Sequence, residues 1–222
     1  MSGLIFGVTF LGIILTCLTL AHLLYGYYRL GIAPTPSGYV ARRAISKTCC
    51  QLLRQRLLTT DADTEETRQL VIYDFGSGMG GLLQSLKKQI RHDPQLQTLI
   101  IQYRGIEWLW LPYICSLLLK KLSLSSSHHL LSFHHGDFST YLAQVKAKDI
   151  VLCYLCPQQM ENLAQSIRKL SIEDRSIHED KVHGFTIISL TFALPQFTPR
   201  QTYRLSNLYQ DPIYIYELTT RH

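Results

Sequence analysis

The chain has 222 residues, which is enough for one ordinary domain with a short appendage. Its composition, 46% hydrophobic and 17% charged, excludes a disordered chain, and six cysteines are too few for a disulfide-stapled scaffold. The net charge of +6 is confined to one end of the chain: residues 1–60 carry six basic and no acidic side chains, whereas residues 61–222 carry 16 of each. This distribution argues against a basic protein that coats nucleic acid.

The first predicted element is an apolar helix. Residues 3–24 contain no charged side chain and reach about 33 Å as a helix, against a hydrocarbon core of about 30 Å. Three tyrosines and then Arg29 follow, an order that predicts a single transmembrane anchor over residues 1–28. A cleaved signal peptide, the alternative, would have a basic start and a small-residue cleavage site. The cations after the span place the rest of the chain in the cytoplasm, where thiols stay reduced.

Residues 29–66 form a predicted Pro-rich hinge and amphipathic helix. Pro34 and Pro36 stop the first helix, because proline lacks a backbone donor and has a fixed φ. Apolar side chains at helical spacing then predict a helix over residues 39–58 that docks on the core: Ala41, Ile45, Cys49 and Leu52. The cations on its opposite face are Arg43, Lys47 and Arg54. That basic face is either solvated or in contact with anionic lipid headgroups, and the two interpretations are compatible.

Strands and helices alternate through residues 67–222, the predicted globular domain. The predicted strands cover residues 70–75, 99–107, 130–134, 149–155, 185–192, 203–208 and 213–218. The predicted helices cover residues 80–91, 109–121 and 158–170, and the second is apolar enough to be buried. Strands separated by helices predict an α/β fold with a parallel sheet covered on both faces. The last two strands have no helix between them and predict an antiparallel hairpin.

A glycine-rich loop follows the first of these strands and opens a helix. Gly76, Gly78, Gly80 and Gly81 fit either GxGxG or GxGxxG, and in this context glycines let the backbone approach a ligand closely. The second spacing would suit a dinucleotide. Asp74, two residues before the first glycine, favours a cofactor with an ammonium group instead, because a carboxylate is a poor neighbour for a pyrophosphate. S-adenosyl-L-methionine has an amino group, a sulfonium and no phosphate.

Acidic residues at two further strand ends complete the predicted cofactor site. Glu107 ends the second strand, where a carboxylate can accept both ribose hydroxyls of an adenosine ligand. Asp137 follows the third strand and either accepts from the adenine amino group or caps the next helix. Trp108 lies against adenine or in the core, and Trp110 is expected in the core. The predicted cofactor-binding residues are Asp74, Gly76, Ser77, Gly78, Gly80, Glu107, Trp108, Asp137 and Phe138.

Histidine and cysteine clusters raise the question of a metal. Four histidines stand at positions 128, 129, 134 and 135, without HxH or HxxxH spacing to a carboxylate partner. Cys153 and Cys156 form a single CxxC, whereas a zinc site would need a second pair and a redox site would normally open a helix. The sequence therefore predicts no metal.

The motifs from Asp74 to Pro157 resemble, in order and approximate spacing, those of class I S-adenosylmethionine-dependent methyltransferases. A closer likeness covers most of the chain, which resembles the membrane-anchored lysine N-methyltransferase family that includes the ATP synthase c-subunit methyltransferase. Four features carry this likeness: the Pro-rich stretch at residues 33–36, the loop at 74–78, Pro157 with Gln158-Gln159-Met160 after it, and the segment FALPQFTP at 192–199. Met79-Gly80-Gly81 departs from the Asp-Gly-Arg that the family often has.

The resemblance implies a seven-stranded Rossmann-like methyltransferase sheet and N-methylation of lysine in a protein in or near the membrane. The alternative is a methyltransferase acting on a lipid, quinone or other small molecule, for which a closed apolar pocket would be expected. A non-catalytic binder and an NAD-dependent enzyme fit the motifs less well. The candidates for orienting the acceptor are Tyr154, Pro157, Phe192 and Phe197, and core packing is the alternative for Tyr154 and Phe192.

Overall fold

The computed structural model describes residues 2–30, 38–59, 69–122, 129–173, 182–205 and 210–221. By their internal contacts, these fall into two compact units, Met1–Thr35 and Pro36–His222. The sequence also predicts a surface loop over residues 59–68 and a charged loop over residues 171–183, of which residues 60–68 and 174–181 lie outside the described residues.

The first unit contains helix α1 (Ser2–Leu30). Its stretch Ile5–Gly26 has a mean hydropathy of 2.1, and its most apolar part is not buried within the chain. The stretch is long and apolar enough to cross a membrane, a criterion that a signal sequence also meets. The hydroxyl groups of Thr16 and Thr19 donate to backbone carbonyls one turn earlier, at 2.8 Å each. Their polar atoms are therefore satisfied within the helix, as a hydrocarbon environment would require.

The second unit is built from five helices and seven strands among the described residues. The helices are α2 (Tyr39–Thr59), α3 (Gly81–Arg91), α4 (Trp110–Leu122), α5 (Phe138–Leu142) and α6 (Pro157–Glu173). The strands are β1 (Gln69–Phe75), β2 (Ile100–Glu107), β3 (His129–His135), β4 (Ile150–Cys153), β5 (Val182–Leu190), β6 (Gln201–Arg204) and β7 (Pro212–Arg221).

The strands form one sheet in the order β3-β2-β1-β4-β5-β7-β6. The first five are parallel, and β7 lies antiparallel between β5 and β6. The predicted α/β sheet with a C-terminal antiparallel hairpin is therefore confirmed. The register sets Asp74 of β1 between Gly105 of β2 and Leu152 of β4, so the carboxyl ends of these strands meet at one edge of the sheet.

Helices cover both faces of the sheet. On one face α2 and α3 bury a cluster that includes Ile45, Leu83 and Phe133, and α4 contributes partly buried side chains. On the other face α5 and α6 bury a cluster that includes Phe75 and Met160. Alternate residues of β1, β2, β4, β5 and β7 point to the two clusters, as the twofold period of a strand requires.

Helix α2 docks on the core as predicted, with two corrections. Leu53 rather than Leu52 completes its buried face. Arg54, expected on the solvated side, forms an ion pair with Asp93, and its Nη2 lies 2.6 Å from Oδ2. Arg56 donates to the carbonyl of Lys148 at 2.5 Å. The C-terminal end of α2 is therefore held by cations that hydrogen-bond to the core, which leaves the exposed basic face smaller than the sequence suggested.

Candidate cofactor and active site

The glycine loop is fastened to the second strand at the carboxyl edge of the sheet. The backbone N–H groups of Gly76 and Ser77 both donate to the carbonyl of Ile106, at 2.9 and 3.0 Å. Gly76 and Gly78 have φ values of 75° and 55°, in the left-handed region that side-chain-bearing residues rarely adopt. The chain therefore needs glycine at positions 76 and 78 to make the turn.

Gly80 also has a positive φ, 78°, and has a second reason to be glycine. A Cβ at this position would lie 2.2 Å from the ring of Phe133, so the ring occupies the space that a side chain would need. Backbone conformation and packing therefore both explain a glycine at position 80, and the contact of Gly80 with the cofactor stays a prediction. A Cβ on Gly78, in contrast, would meet nothing within 4 Å, which leaves open space beside that residue.

Asp74 presents a buried carboxyl group just before the loop. Only 3% of the residue is exposed. Burial, followed by the nearby charge of Glu107, raises the pKa of Asp74 to about 8. In the described part of the chain, no cation or hydrogen-bond donor offsets this shift. The arrangement keeps a latent negative charge that an entering cation would stabilise.

Glu107 is held in place at the end of β2. Its Oε2 accepts from the backbone N–H of Gly78, and its Oε1 accepts from that of Leu109, both at 2.8 Å. Burial raises the pKa of its carboxyl group, and these hydrogen bonds oppose the rise. The side chain is thereby fixed against the loop, and the structure brings together Asp74, Glu107 and the glycines as predicted from the sequence.

The residues at this edge fit a ligand with an amino-acid end and an adenosine end. Asp74 matches an ammonium group, and Glu107 can accept from ribose hydroxyls. The hydroxyl oxygen of Ser77 is buried and has no hydrogen-bond partner among the described residues. A Cβ on Gly105 would lie 2.8 Å from that oxygen, so Ser77 points toward the sheet rather than the open space beside Gly78. Ser77 is thus part of the loop, while its side chain serves the loop's packing on β2.

The other residues predicted to contact adenosine differ in their exposure and in their contacts. Asp137 is exposed and caps α5, where its Oδ1 accepts from the backbone N–H of Ser139 at 2.8 Å. The capping alternative is therefore observed, and the adenine contact stays a prediction. Phe138 is buried and stacks on Phe75, with 5.5 Å between ring centroids. Trp108 is half-buried beside Glu107.

Trp110 was expected in the core, and this prediction was wrong. The residue is 57% exposed, and its ring stacks on His135 with 3.9 Å between centroids. Trp110 is the first residue of α4, and its ring contacts Tyr113 and His135 rather than the buried clusters.

The predicted acceptor residues follow two neighbouring strands. Cys153 of β4 lies opposite Ser189 of β5, so the segments after both strands meet at the edge that carries the glycine loop. Tyr154 is half-buried against the cluster of α2 and α3. Phe192 and Phe197 are half-buried against the cluster on the other face. The structure therefore brings these side chains to one edge but to opposite sides of the sheet, with exposed Pro157 opening α6.

The connection after β5 is a tight turn rather than more strand. The sequence predicted a strand to Phe192, whereas β5 ends at Leu190. Thr191 takes a positive φ of 69°, and the hydroxyl of Ser189 donates to the carbonyl of Phe192 at 2.6 Å. The backbone N–H of Leu194 donates to the Tyr216 hydroxyl at 2.8 Å. These bonds fix the segment at 192–199 close to the carboxyl edge.

Arg42 lies at the loop, and the sequence analysis did not assign it there. A Cβ on Gly81 would lie 2.4 Å from Nη1 of Arg42, so the half-buried guanidinium covers the first residue of α3. The N-cap of that helix is Gly80, which offers no side-chain acceptor, so α3 begins with uncapped backbone donors. Together the cation and the helix terminus suit a carboxylate. The sequence contained one indication of this placement: Arg42 is adjacent to Ala41, so it lies at the border of the face of α2 that docks on the core.

The cysteines and histidines form no metal cluster in the part of the chain that the structure describes. Burial raises the pKa of the Cys153 thiol to about 12, so this thiol stays protonated. His135 instead lies against Trp110, and its Nε2 is 2.8 Å from the carbonyl of Trp108.

The strand order and the loop define the α/β methyltransferase fold, and comparison with solved structures agrees. The chain is similar to an RNA methyltransferase from Salinibacter ruber in complex with S-adenosyl-L-homocysteine, with 21% identity, a TM-score of 0.50, and coverage of 82% of this chain and 93% of that chain. It is also similar to a putative class I S-adenosylmethionine-dependent methyltransferase from Listeria monocytogenes, with 13% identity, a TM-score of 0.49 and coverage of 79% and 59%. No family model and no curated protein matches the chain.

Proposed function

We propose that the chain is a membrane-anchored S-adenosylmethionine-dependent methyltransferase that N-methylates lysine in a protein in or near the membrane. Its strongest support is the pair of buried carboxyl groups, Asp74 and Glu107, set around a glycine turn at the carboxyl edge of a methyltransferase sheet. Ligands of open α/β sheets bind at this edge.

The cofactor would be held at both of its ends. Asp74 would pair with the ammonium group, and Arg42 with the carboxylate, so that the zwitterionic end meets one charge of each sign. Glu107 would accept from the ribose hydroxyls. Asp137 uses Oδ1 to cap α5, and its second carboxylate oxygen would accept from the adenine amino group. The cap and the adenine contact are therefore compatible.

When bound, the cofactor supplies a methyl group on a positively charged sulfur, and the chain's own task is to prepare the acceptor. A lysine with a pKa of about 10.4 must lose its proton, which costs about 4–5 kcal/mol at pH 7. A desolvated pocket with hydrogen-bond acceptors lowers that cost. The hydroxyl of Tyr154 and the carbonyls of Leu155 and Cys156 would orient the amine, with Phe192 and Phe197 as apolar walls.

The apolar helix α1 would serve as a single-pass anchor, with the catalytic domain on the cytoplasmic side. The cations that follow the span support this orientation. Tethering would raise the effective concentration of the site near membrane-embedded acceptors. The likeness of the segment at 192–199 to the membrane-anchored lysine N-methyltransferases supports a protein substrate. The zero net charge of residues 61–222 does not favour an RNA substrate.

Titration calorimetry on the full chain tests the cofactor. We expect binding of S-adenosylmethionine and S-adenosylhomocysteine and none of NAD. The variant Asp74→Asn should lose this binding, whereas the matched variant Asp93→Asn, which alters a carboxylate at the opposite edge of the sheet, should keep it. A preference for NAD would overturn the proposal.

A labelling experiment tests the acceptor. Membranes that contain the full chain are incubated with cofactor carrying a radiolabelled methyl group, and protein, organic extract and nucleic acid are then separated. We expect label in protein, recovered as methyl-lysine after hydrolysis, and none with the Asp74→Asn variant. Label in the organic extract would support a lipid, quinone or other small molecule as the acceptor and reject lysine.

A further inference from the structure

The outer face of α4 is apolar. Trp110, Ile114 and Leu118 follow one another at four-residue spacing and are 57%, 47% and 58% exposed. Leu111, at 36%, lies beside them on the same side of the helix. Ser116, on the opposite side, is fully buried. We call these four exposed residues, Trp110, Leu111, Ile114 and Leu118, the α4 patch.

The α4 patch reverses the usual arrangement of a surface helix. Such a helix turns its apolar stripe to the core and its polar residues to water. The sequence predicted a buried helix here, and that prediction was wrong, because α4 lies over the edge of the sheet formed by β2 and β3 and presents its largest apolar side chains outward. Contiguous exposed apolar surface of this kind marks an interaction site.

We propose that the α4 patch inserts into the interface of a lipid bilayer. The proposal rests on the membrane anchoring proposed above. The residue types fit this partner: a tryptophan and three large aliphatic side chains share one face, the helix sequence contains no acidic residue, and exposed Lys120 and Lys121 close it. Lysines beside an apolar face complement anionic headgroups. A protein partner would be attracted by the two lysines, and by the lack of acidic residues beside them, only if its own surface were acidic.

The patch lies beside the candidate site. Trp110 follows Glu107 by three residues, and its ring rests on His135 at the carboxyl end of β3. Insertion of this face would hold the carboxyl edge of the sheet at the membrane surface. The anchor would then bring the catalytic domain to the membrane, and the α4 patch would orient it, so that the site meets acceptors at the depth of the headgroups.

Tryptophan fluorescence gives a direct test, because Trp108 and Trp110 are the two tryptophans of the whole chain. The full chain is reconstituted in phosphatidylcholine and phosphatidylserine vesicles that carry brominated acyl chains. We expect quenching of the emission and a shift to shorter wavelength in the wild type, and loss of both in Trp110→Phe. Vesicles without phosphatidylserine should show weaker quenching, because they do not attract the two lysines.

Two further variants separate insertion from general damage. Leu118→Asp changes an already exposed side chain, so the melting temperature should stay while quenching falls. Tyr203→Asp, 48% exposed on the edge strand β6 at the far side of the sheet, is the matched control and should quench like the wild type. Asp74→Asn should also quench like the wild type, because the inference concerns lipid contact and not the cofactor.

The outcomes distinguish the inference from the function it rests on. If the chain floats with the vesicles but its tryptophans are not quenched, the α4 patch does not insert, and the anchor stands. If the chain does not float, both the anchor and the insertion are rejected. If Leu118→Asp instead dissociates an oligomer in sedimentation measurements, a second copy covers the patch, and the lipid proposal is overturned.

Discussion

Two equally buried aspartates, one near the end of β1 and one just before the neighbouring strand β4, have opposite surroundings. Asp149, 3% exposed just before β4, accepts from the backbone N–H groups of Val71 and Lys146 at 2.9 and 2.8 Å. Asp74, also 3% exposed but at the carboxyl edge, faces only burial and the charge of Glu107. The amino edge is therefore satisfied by the chain itself, whereas the carboxyl edge keeps an uncompensated charge for a ligand.

The same contrast extends to the cations. At the amino edge Arg54 pairs with Asp93, and Arg56 donates to the hydroxyl of Thr186 at 2.5 Å. At the carboxyl edge Arg42 lies over the start of α3 beside uncapped backbone donors. Aspartates and arginines therefore stabilise the fold at the amino edge and are available to bind a ligand at the carboxyl edge. Substitutions at the amino edge should lower stability, and substitutions at the carboxyl edge should lower ligand affinity.

The largest effect is expected from Asp74→Asn. This change keeps the size of the side chain and removes the charge that would pair with an ammonium group. We expect the affinity for S-adenosylhomocysteine to fall by about 2–4 kcal/mol, roughly 30- to 1000-fold in Kd. Calorimetry at fixed pH measures it.

The same variant should stabilise the fold at alkaline pH. The unfolded Asp74 ionises near pH 4 and the folded one near pH 8, so between these values the folded state binds more protons and stability falls as the pH rises. The asparagine variant has no such loss, and its melting temperature should exceed that of the wild type at pH 8 but not at pH 4. Wild-type affinity for the cofactor should rise from pH 6 to pH 8. If Asp74→Asn were less stable than the wild type at pH 8, the conclusion that the charge of Asp74 is uncompensated in the folded state would be wrong.

The second effect concerns the amino edge. Asp149→Ala leaves two backbone N–H groups without their acceptor, and we expect a loss of about 2–4 kcal/mol in the free energy of unfolding. The affinity for S-adenosylhomocysteine should not change. Chemical denaturation measures the loss, with Glu161→Ala, which removes a surface ion pair to Arg168, as a control that should cost under about 1 kcal/mol. If Asp149→Ala and Glu161→Ala lowered the free energy of unfolding by comparable amounts, the stabilising role of Asp149 at the amino edge would be contradicted.

The third effect separates two adjacent arginines of α2. Arg42 lies over Gly81, whereas Arg43 is exposed and lines a groove with Ser85 and Gln89, further along α3. Arg42→Ala should weaken the binding of S-adenosylhomocysteine about tenfold, through loss of one charge-assisted contact to its carboxylate. Arg43→Ala should leave it unchanged. Neither variant should alter the binding of methylthioadenosine, which has no carboxylate, and a loss there in Arg42→Ala would point to a folding role instead.

The smallest effect distinguishes the two roles of Asp137. Serine is also a good N-cap but is too short to reach the adenine amino group. Asp137→Ser should keep the melting temperature and weaken cofactor binding by about 1 kcal/mol, whereas Asp137→Ala should lower both. If serine restores binding as well as stability, the residue is only a cap.

The sheet and its loop could be predicted because their signals are local. Alternating strand and helix patterns placed all seven strands, and the glycines at 76 and 78 with Asp74 marked the ligand edge. Ends of elements were less accurate where a turn overrides β propensity, as at Thr191.

Long-range packing was not visible in the sequence. Arg42 and Arg54 read alike as cations of one basic helix, and only the docking of α2 places one over Gly81 and the other against Asp93. An apolar composition likewise cannot tell a buried helix from one with an apolar outer face, because both have the same residues. The exposure of Trp110 therefore needed the position of α4 on the sheet.

The ring of Phe133 contacts two glycines that are distant in the sequence, Gly80 and Gly105. The ring fills the space of two absent methyl groups, since a Cβ on Gly80 would lie 2.2 Å and one on Gly105 2.4 Å from ring atoms. The tolerated residues at these sites are thus epistatic: Gly105→Ala should be harmful alone and less so when Phe133 is shortened to alanine, which removes the ring atoms nearest to the new Cβ. The Ser77 hydroxyl, 2.8 Å from that Cβ, must rotate away in both backgrounds. A double-mutant cycle on thermal stability would measure that coupling, and additive losses would refute it.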